Sequence, residues 1–247
     1  MAIFHEATGS GPVVLLTHGF AASSHMFTAT VGALAVDHTA VVWDQLGHGR
    51  SDAPDDPAAY SVAASLQAML AILDAVGAED AVLLGHSLGG YLSLELVLAH
   101  PQRVRALVLV DTGPGYRSDR GREQWNEMAE GYARDLDEHG LDGLTASAEL
   151  SSGVHRSASG LAHSARGVLH QSDGHVMEGL ASIIAPTLVV VGENDQPFLA
   201  GSQYMSQKIP GARLAVIDGA GHAPPVTHPA EFNRVLREFL VPGDDCR

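Results

Sequence analysis

The sequence predicts an α/β fold with a mainly parallel central sheet and helices on both of its faces. Three observations carry this. Short β-branched or leucine-rich runs recur along the chain, each ending in a turn that contains Gly or Asp. Most of these runs are apolar throughout rather than alternating, the pattern of strands buried on both faces of a parallel sheet. Segments with helical spacing lie between them, and alternating strand and helix is the signature of the class.

The strand candidates, in order, are Val13–Thr17, Thr39–Trp43, Ala81–Leu84, Val104–Val110, Thr187–Val191 and Arg213–Ile217. Ser61–Val76 reads as a helix, because Val62, Leu66, Met69, Leu70, Leu73 and Val76 recur at three and four. Ser61 stands where a cap is needed and Gly77 where a helix stops. Leu88–Ala99, ending near Pro101, and Ala230–Leu240, starting near Pro229, read the same way. The alternation fails once, from about Thr112 to Pro186, where amphipathic stretches such as Arg122–Leu136 replace any buried strand. That interval is too long for a loop without structure of its own. It predicts a small helical cap over residues 112–186, inserted into a core formed by 1–111 and 187–247.

Composition narrows the function. The 247 residues suit one large α/β domain with a modest insertion, and 45% hydrophobic with 17% charged residues is ordinary for a globular enzyme. The formal charge of −15 repels phosphate backbones and anionic headgroups, which argues against nucleic acid and membranes as partners. The single cysteine, Cys246, rules out a disulfide framework and a cysteine metal site, and its place at the chain end argues against catalysis. Residues 1–8 lack the basic and apolar segments of a signal peptide, and no apolar run has the length to span a bilayer. The expectation is a cytoplasmic protein acting on a small molecule.

The strongest chemical signal is Gly85-His86-Ser87-Leu88-Gly89-Gly90, a Gly-x-Ser-x-Gly sequence after a buried strand and before a helix. A strained strand-to-helix turn of this kind lifts a serine hydroxyl out of the sheet, and side chains at its flanks would collide with neighbouring backbone. Serine is a weak nucleophile that needs a base. Among 14 histidines, His222 stands out by position, in Gly219-Ala220-Gly221-His222 after the last strand. A loop there sits at the carboxyl ends of the strands, where ligands gather in open α/β sheets. A carboxylate must then orient His222 and stabilise its charged form. Asp195, after the strand Thr187–Val191, is the first candidate; Asp111 at the end of the preceding strand and Glu193 are its rivals.

With its serine, aspartate and histidine in that chain order, the sequence resembles the α/β-hydrolase superfamily over nearly its whole length. His18-Gly19-Phe20 is similar to that family's oxyanion loop, which implies the backbone N–H groups of Phe20 and Leu88 as oxyanion donors. Asp44-Gln45-Leu46-Gly47-His48-Gly49-Arg50-Ser51 resembles a mostly structural loop of the family, which implies scaffold roles for Asp44 and His48; His18 and His86 are likewise implied to support loops. The resemblance also narrows by difference. Dehalogenases and epoxide hydrolases of this fold carry aspartate where Ser87 stands. One lipase branch has a longer glycine run than the single Gly19. Carbon–carbon hydrolases tend to a Ser-Gly-rich oxyanion loop and Asn before the serine, in place of Phe20-Ala21-Ala22 and His86. A small-molecule esterase, lactonase or perhydrolase is implied, working by acyl transfer from Ser87 to water.

Two alternatives stay open: a C–C bond hydrolase or lyase with the same triad, and a ligand-binding protein that keeps the fold. His155, His163, His170 and His175 fall in the insertion, with His163 and His170 placed to share a helix face, but their spacing matches no common metal motif. The glycine-rich turn lacks the Gly-x-Gly-x-x-Gly spacing of a dinucleotide site, so neither metal nor cofactor is expected. Specificity is expected from Phe20, Leu88, the loop after Asp195 and the insertion, where Trp125, Met128, Tyr132 and Leu136 have helical spacing.

Overall fold

The computed structural model describes residues 1–144 and 154–241; Cys246 lies outside them. Seven strands form one sheet: β1 (His5–Gly9), β2 (Val13–Thr17), β3 (Thr39–Trp43), β4 (Ala81–His86), β5 (Val104–Val110), β6 (Thr187–Gly192) and β7 (Arg213–Ile217), in spatial order β1-β3-β2-β4-β5-β6-β7. Every pairing is parallel except β1 against β3. The sheet is the mainly parallel one the apolar runs predict. β1 has no counterpart in that reading. His5-Glu6-Ala7-Thr8-Gly9 is an exposed edge strand, so no burial pattern marks it.

The helices follow the strands: α1 (Thr28–Leu34), α2 (Val62–Ala75), α3 (Leu88–Ala99), α4 (Asp119–His139), α5 (Ala158–Ser164), α6 (His175–Gly179), α7 (Gln196–Lys208), α8 (Pro224–Thr227) and α9 (Pro229–Leu240). Ser61 caps α2, its hydroxyl accepting the Ala64 N–H at 3.1 Å, and Gly77 ends it in the left-handed region. Ser118 caps α4 by accepting from Gly121 at 3.2 Å. Among the described residues, no helix is long and apolar enough to cross a membrane.

Side chains alternate across the central strands, so each feeds two cores. Leu15, Leu83, Leu107 and Val189 pack against Met69 and Leu73 of α2, Leu92 and Leu96 of α3, and Met205 of α7. Val14, Leu16, Leu84 and Val108 pack with Phe27, Leu34 of α1, and Phe232 and Leu236 of α9 on the opposite face. Burying each such side chain contributes roughly 1.5–3 kcal/mol. Between β5 and β6 the described residues form helices and no strand. There Ala133 and Leu136 of α4 join Leu161 and Ala162 of α5 and Ala165 of a π-helical turn in a small third cluster. Arg166 of that turn is paired with Glu130 and Asp137 of α4.

Candidate active site

Ser87 occupies the turn between β4 and α3 with φ 51° and ψ −116°, a conformation that costs a non-glycine residue about 1–3 kcal/mol. Backbone bonds hold it there. Its N–H donates to Val110 of β5 at 2.9 Å, and its carbonyl accepts from the Thr112 hydroxyl at 2.7 Å. The flanking glycines are required by contact. A Cβ on Gly85 would lie 2.2 Å from the Gly89 oxygen, one on Gly89 would lie 2.1 Å from the Thr17 oxygen, and one on Gly90 would lie 2.5 Å from the Thr112 methyl. The tight β2–β4–α3 packing that aims Ser87 outward therefore excludes any side chain at these positions.

His222 follows β7, and Asp195 follows β6 at the start of α7. The imidazole Nδ1 lies 2.8 Å from Asp195 Oδ2. An ionised carboxylate only accepts, so this bond selects the tautomer with the proton on Nδ1 and the lone pair on Nε2. The ring is flanked by Phe198, stacked at 4.8 Å, and by His86 at 4.9 Å. His86 Nε2 donates to the His222 carbonyl at 2.6 Å, which fixes the loop from below. Burial, together with the neighbouring His222, pushes His86 down to about 3, so it stays neutral and structural. Ser87, Asp195 and His222 line one cavity of about 620 Å³; among the described residues, no hydrogen bond joins the serine hydroxyl to the imidazole. Catalytic contacts of this kind are often loose before substrate binds.

The two rival carboxylates differ in their engagement. Glu193 turns away and accepts the Gly219 N–H at 2.8 Å, bracing the loop that carries His222. Asp111 is fully buried, has φ 44°, and accepts the Gly192 N–H at 2.9 Å. Yet its carboxylate, that of Asp195 and a ring nitrogen of His222 all lie within 4.8 Å of one another. Asp195 makes the 2.8 Å hydrogen bond to the imidazole, with the Asp111 carboxylate in the same cluster.

Gly19 brings the loop after β2 against the serine, since a Cβ there would lie 3.1 Å from Ser87 Cβ. Among the described residues, no backbone or side-chain acceptor takes the N–H of Phe20 or of Leu88. The next residue, Ala21, has φ 54° and is clamped by two histidines. His48 Nε2 accepts its N–H at 3.1 Å, and His155 Nε2 donates to its carbonyl at 2.8 Å. His155 Nδ1 also accepts from Gly49, so one side chain joins the loop after β2 to the loop after β3. Burial holds His18, His48 and His155 below the ordinary histidine value, His18 at about 4. His18 Nε2 accepts the Gln45 N–H at 3.0 Å while Nδ1 donates to the Gly19 carbonyl at 2.7 Å. Asp44 accepts from Ser24 and Arg50.

The clamp by His155 is invisible to sequence reasoning, because nothing in spacing marks a histidine 134 residues from its partner. The other histidines between β5 and β6 go elsewhere. His163 lies in α5 beside Tyr60, and His175 bonds Glu95 of α3 at 2.9 Å. His170 follows the π-helical turn in extended conformation, so it does not share a helix face with His163 as the spacing suggested. Trp125, Met128, Tyr132 and Leu136 of α4 do form one wall of the large cavity.

Comparison with known proteins places these features in a family. A family model described as the alpha/beta hydrolase fold matches residues 12–159. The RutD protein of Pseudomonas savastanoi pv. phaseolicola, which carries a provisional carbamate hydrolase name, is 31% identical over 96% of this chain and 98% of its own. The 2-hydroxymuconate semialdehyde hydrolase of Pseudomonas putida is 29% identical over 96% of this chain and 89% of its own. Among solved structures, the N-acyl homoserine lactone degrading enzyme Est816 superposes with a TM-score of 0.74 at 29% identity, covering 96% of each chain.

Proposed function

Because this chain belongs to the alpha/beta hydrolase family, we propose that it is a serine hydrolase cleaving a small-molecule carboxylic ester, lactone or thioester through Ser87, His222 and Asp195. The observation that carries the reading is the 2.8 Å bond from His222 to a buried Asp195 in the cavity that also receives the strained Ser87. His222 Nε2 takes the Ser87 proton as the hydroxyl oxygen attacks the carbonyl carbon. Asp195 stabilises the imidazolium that forms. The N–H groups of Phe20 and Leu88 receive the developing oxyanion, aided by the positive end of α3. The imidazolium protonates the leaving alcohol, thiol or ring oxygen, and an acyl-Ser87 ester remains. A water activated by His222 then releases the acid and restores the enzyme. The described residues between β5 and β6 act as a cap, with α4 forming a wall of the cavity that holds the serine.

The test is hydrolysis of 4-nitrophenyl esters, from acetate to long acyl chains, by the wild type and Ser87→Ala side by side. Turnover by the wild type and its loss by about 10⁴-fold or more in the variant is the expected result. A folded wild type inert towards every ester would overturn ester hydrolysis.

A further inference from the structure

Two separate cavities converge on Ser87. The one of about 620 Å³ runs from Phe20 along α4; a second, of about 320 Å³, runs between α3 and α7, past Leu88, Tyr91, Gly113 and Tyr204. Both include Ser87, with Trp125 and Phe198 on the shared boundary. An ester carbonyl held at the serine carries two substituents that diverge from its carbon, so each cavity faces one of them.

Neither cavity offers a cation. Among the described residues that line them there is no Lys or Arg, and the one charged side chain is Asp195, with Asp111 close behind. Residues 145–153 contain no Lys or Arg either. Arg122, the basic residue next in sequence to the lining Gly121, gives its guanidinium to the carbonyls of Tyr116 and Arg117 and to Asp119. Two polar groups in the walls are engaged as well. Trp125 Nε1 donates to the Leu169 carbonyl at 2.7 Å, and the Thr112 hydroxyl is taken by Ser87. A substrate carboxylate entering either cavity would shed water without gaining a counter-charge, near one or two aspartates, in a protein of net charge −15.

Resting on the serine-hydrolase reading above, we infer that the substrate is an uncharged ester with an apolar arm on each side of the carbonyl, and that carboxylate-bearing substrates are excluded. This separates the chain from its relative named for 2-hydroxymuconate semialdehyde, a substrate that is itself a carboxylate.

The experiment compares three esters on the full chain at pH 7.5: 4-nitrophenyl hexanoate, mono-4-nitrophenyl adipate and its methyl ester. The expected kcat/KM of the adipate half-ester is at least ~100-fold below that of hexanoate, and methylation of the free carboxylate restores it to within ~5-fold. Lengthening the acyl arm from acetyl to hexanoyl, or the alcohol arm from methyl to benzyl, is expected to raise kcat/KM by ~10-fold or more. Ser87 is titrated independently with the neutral phosphoryl donor diethyl 4-nitrophenyl phosphate and located by peptide mass. Equal rates for the half-ester and its methyl ester, or a flat profile along either arm, overturn the inference and leave Ser87 hydrolysis standing. Ser87 phosphorylation without turnover of any carboxylic ester overturns the inference and ester hydrolysis while leaving Ser87 as a nucleophile. Neither turnover nor phosphorylation overturns both.

Discussion

Replacing Asp195 by Asn removes one charge and almost no volume from the site. The carboxylate lies 2.8 Å from His222 Nδ1 and is 4% exposed, so water screens it poorly. During attack by Ser87 the imidazole becomes cationic, and with charge centres about 4 Å apart at an effective dielectric of about 20 the attraction is about 4 kcal/mol. That corresponds to a rate loss of ~10³. An amide can also present its NH₂ to Nδ1 and select the tautomer without a lone pair at the serine side, which raises the expected loss to ~10³–10⁴ in kcat. Asp111→Asn supplies the comparison. Its Oδ1 acceptor for the Gly192 N–H survives in the amide, and kcat is expected to fall by less than ~10-fold. The assay is 4-nitrophenyl ester hydrolysis by both variants, with thermal unfolding to confirm folding. Asp195→Asn retaining more than a tenth of the activity while Asp111→Asn loses over a hundredfold would assign the acid to Asp111.

Gly89→Ala places a methyl 2.1 Å from the Thr17 oxygen and is expected to cost ~3 kcal/mol, read as a fall in Tm. Gly32→Ala in α1, where nothing lies within 4 Å of the new carbon, should instead stabilise by ~0.5–1 kcal/mol; an unchanged Tm at Gly89 would refute the packing argument. His18 and His86 are held by burial at about 4 and about 3, so the unfolded chain binds protons near pH 6.5 that the native state refuses. Stability should therefore fall as pH drops from about 6.5 towards 4, by on the order of 3 kcal/mol for His18 alone, and urea titrations of His86→Gln should show a shallower slope. His155→Ala removes the donor to the Ala21 carbonyl and the acceptor for Gly49, and is expected to lower kcat by ~10-fold or more with little change in KM. A KM effect alone would make His155 a binding residue.

The central strands are legible because burial on both faces writes continuous apolar runs such as Ala106–Val110, the buried part of β5. The edge is not: β1 is fully exposed, and β7 is exposed at Arg213, Leu214 and Val216, so only hydrophobicity rather than burial marks the latter. Helix α2 carries its own cap and stop in Ser61 and Gly77, whereas Gln196–Lys208 has Pro197 as its second residue, is polar and interrupts its apolar spacing with Gly201, so α7 leaves little trace. The serine turn is legible because glycine has a steric reason at 85, 89 and 90. The choice between Asp195 and Asp111 is not, since both follow buried parallel strands and both carboxylates come within 4.8 Å of the same imidazole. The bond from Asp195 to the imidazole is set by a turn geometry that spacing does not encode. The clamp of Ala21 by His48 and His155 is hidden for the same reason, being a contact between loops far apart in the chain.

The most direct test of Ser87 as nucleophile is to mix the protein with 4-nitrophenyl acetate, quench in acid within the turnover time, and map the peptides by mass. The expected result is an acetyl group on the peptide carrying Ser87 in the wild type, with neither adduct nor turnover in Ser87→Ala. Undiminished hydrolysis by Ser87→Ala, or an adduct confined to another residue, would contradict it.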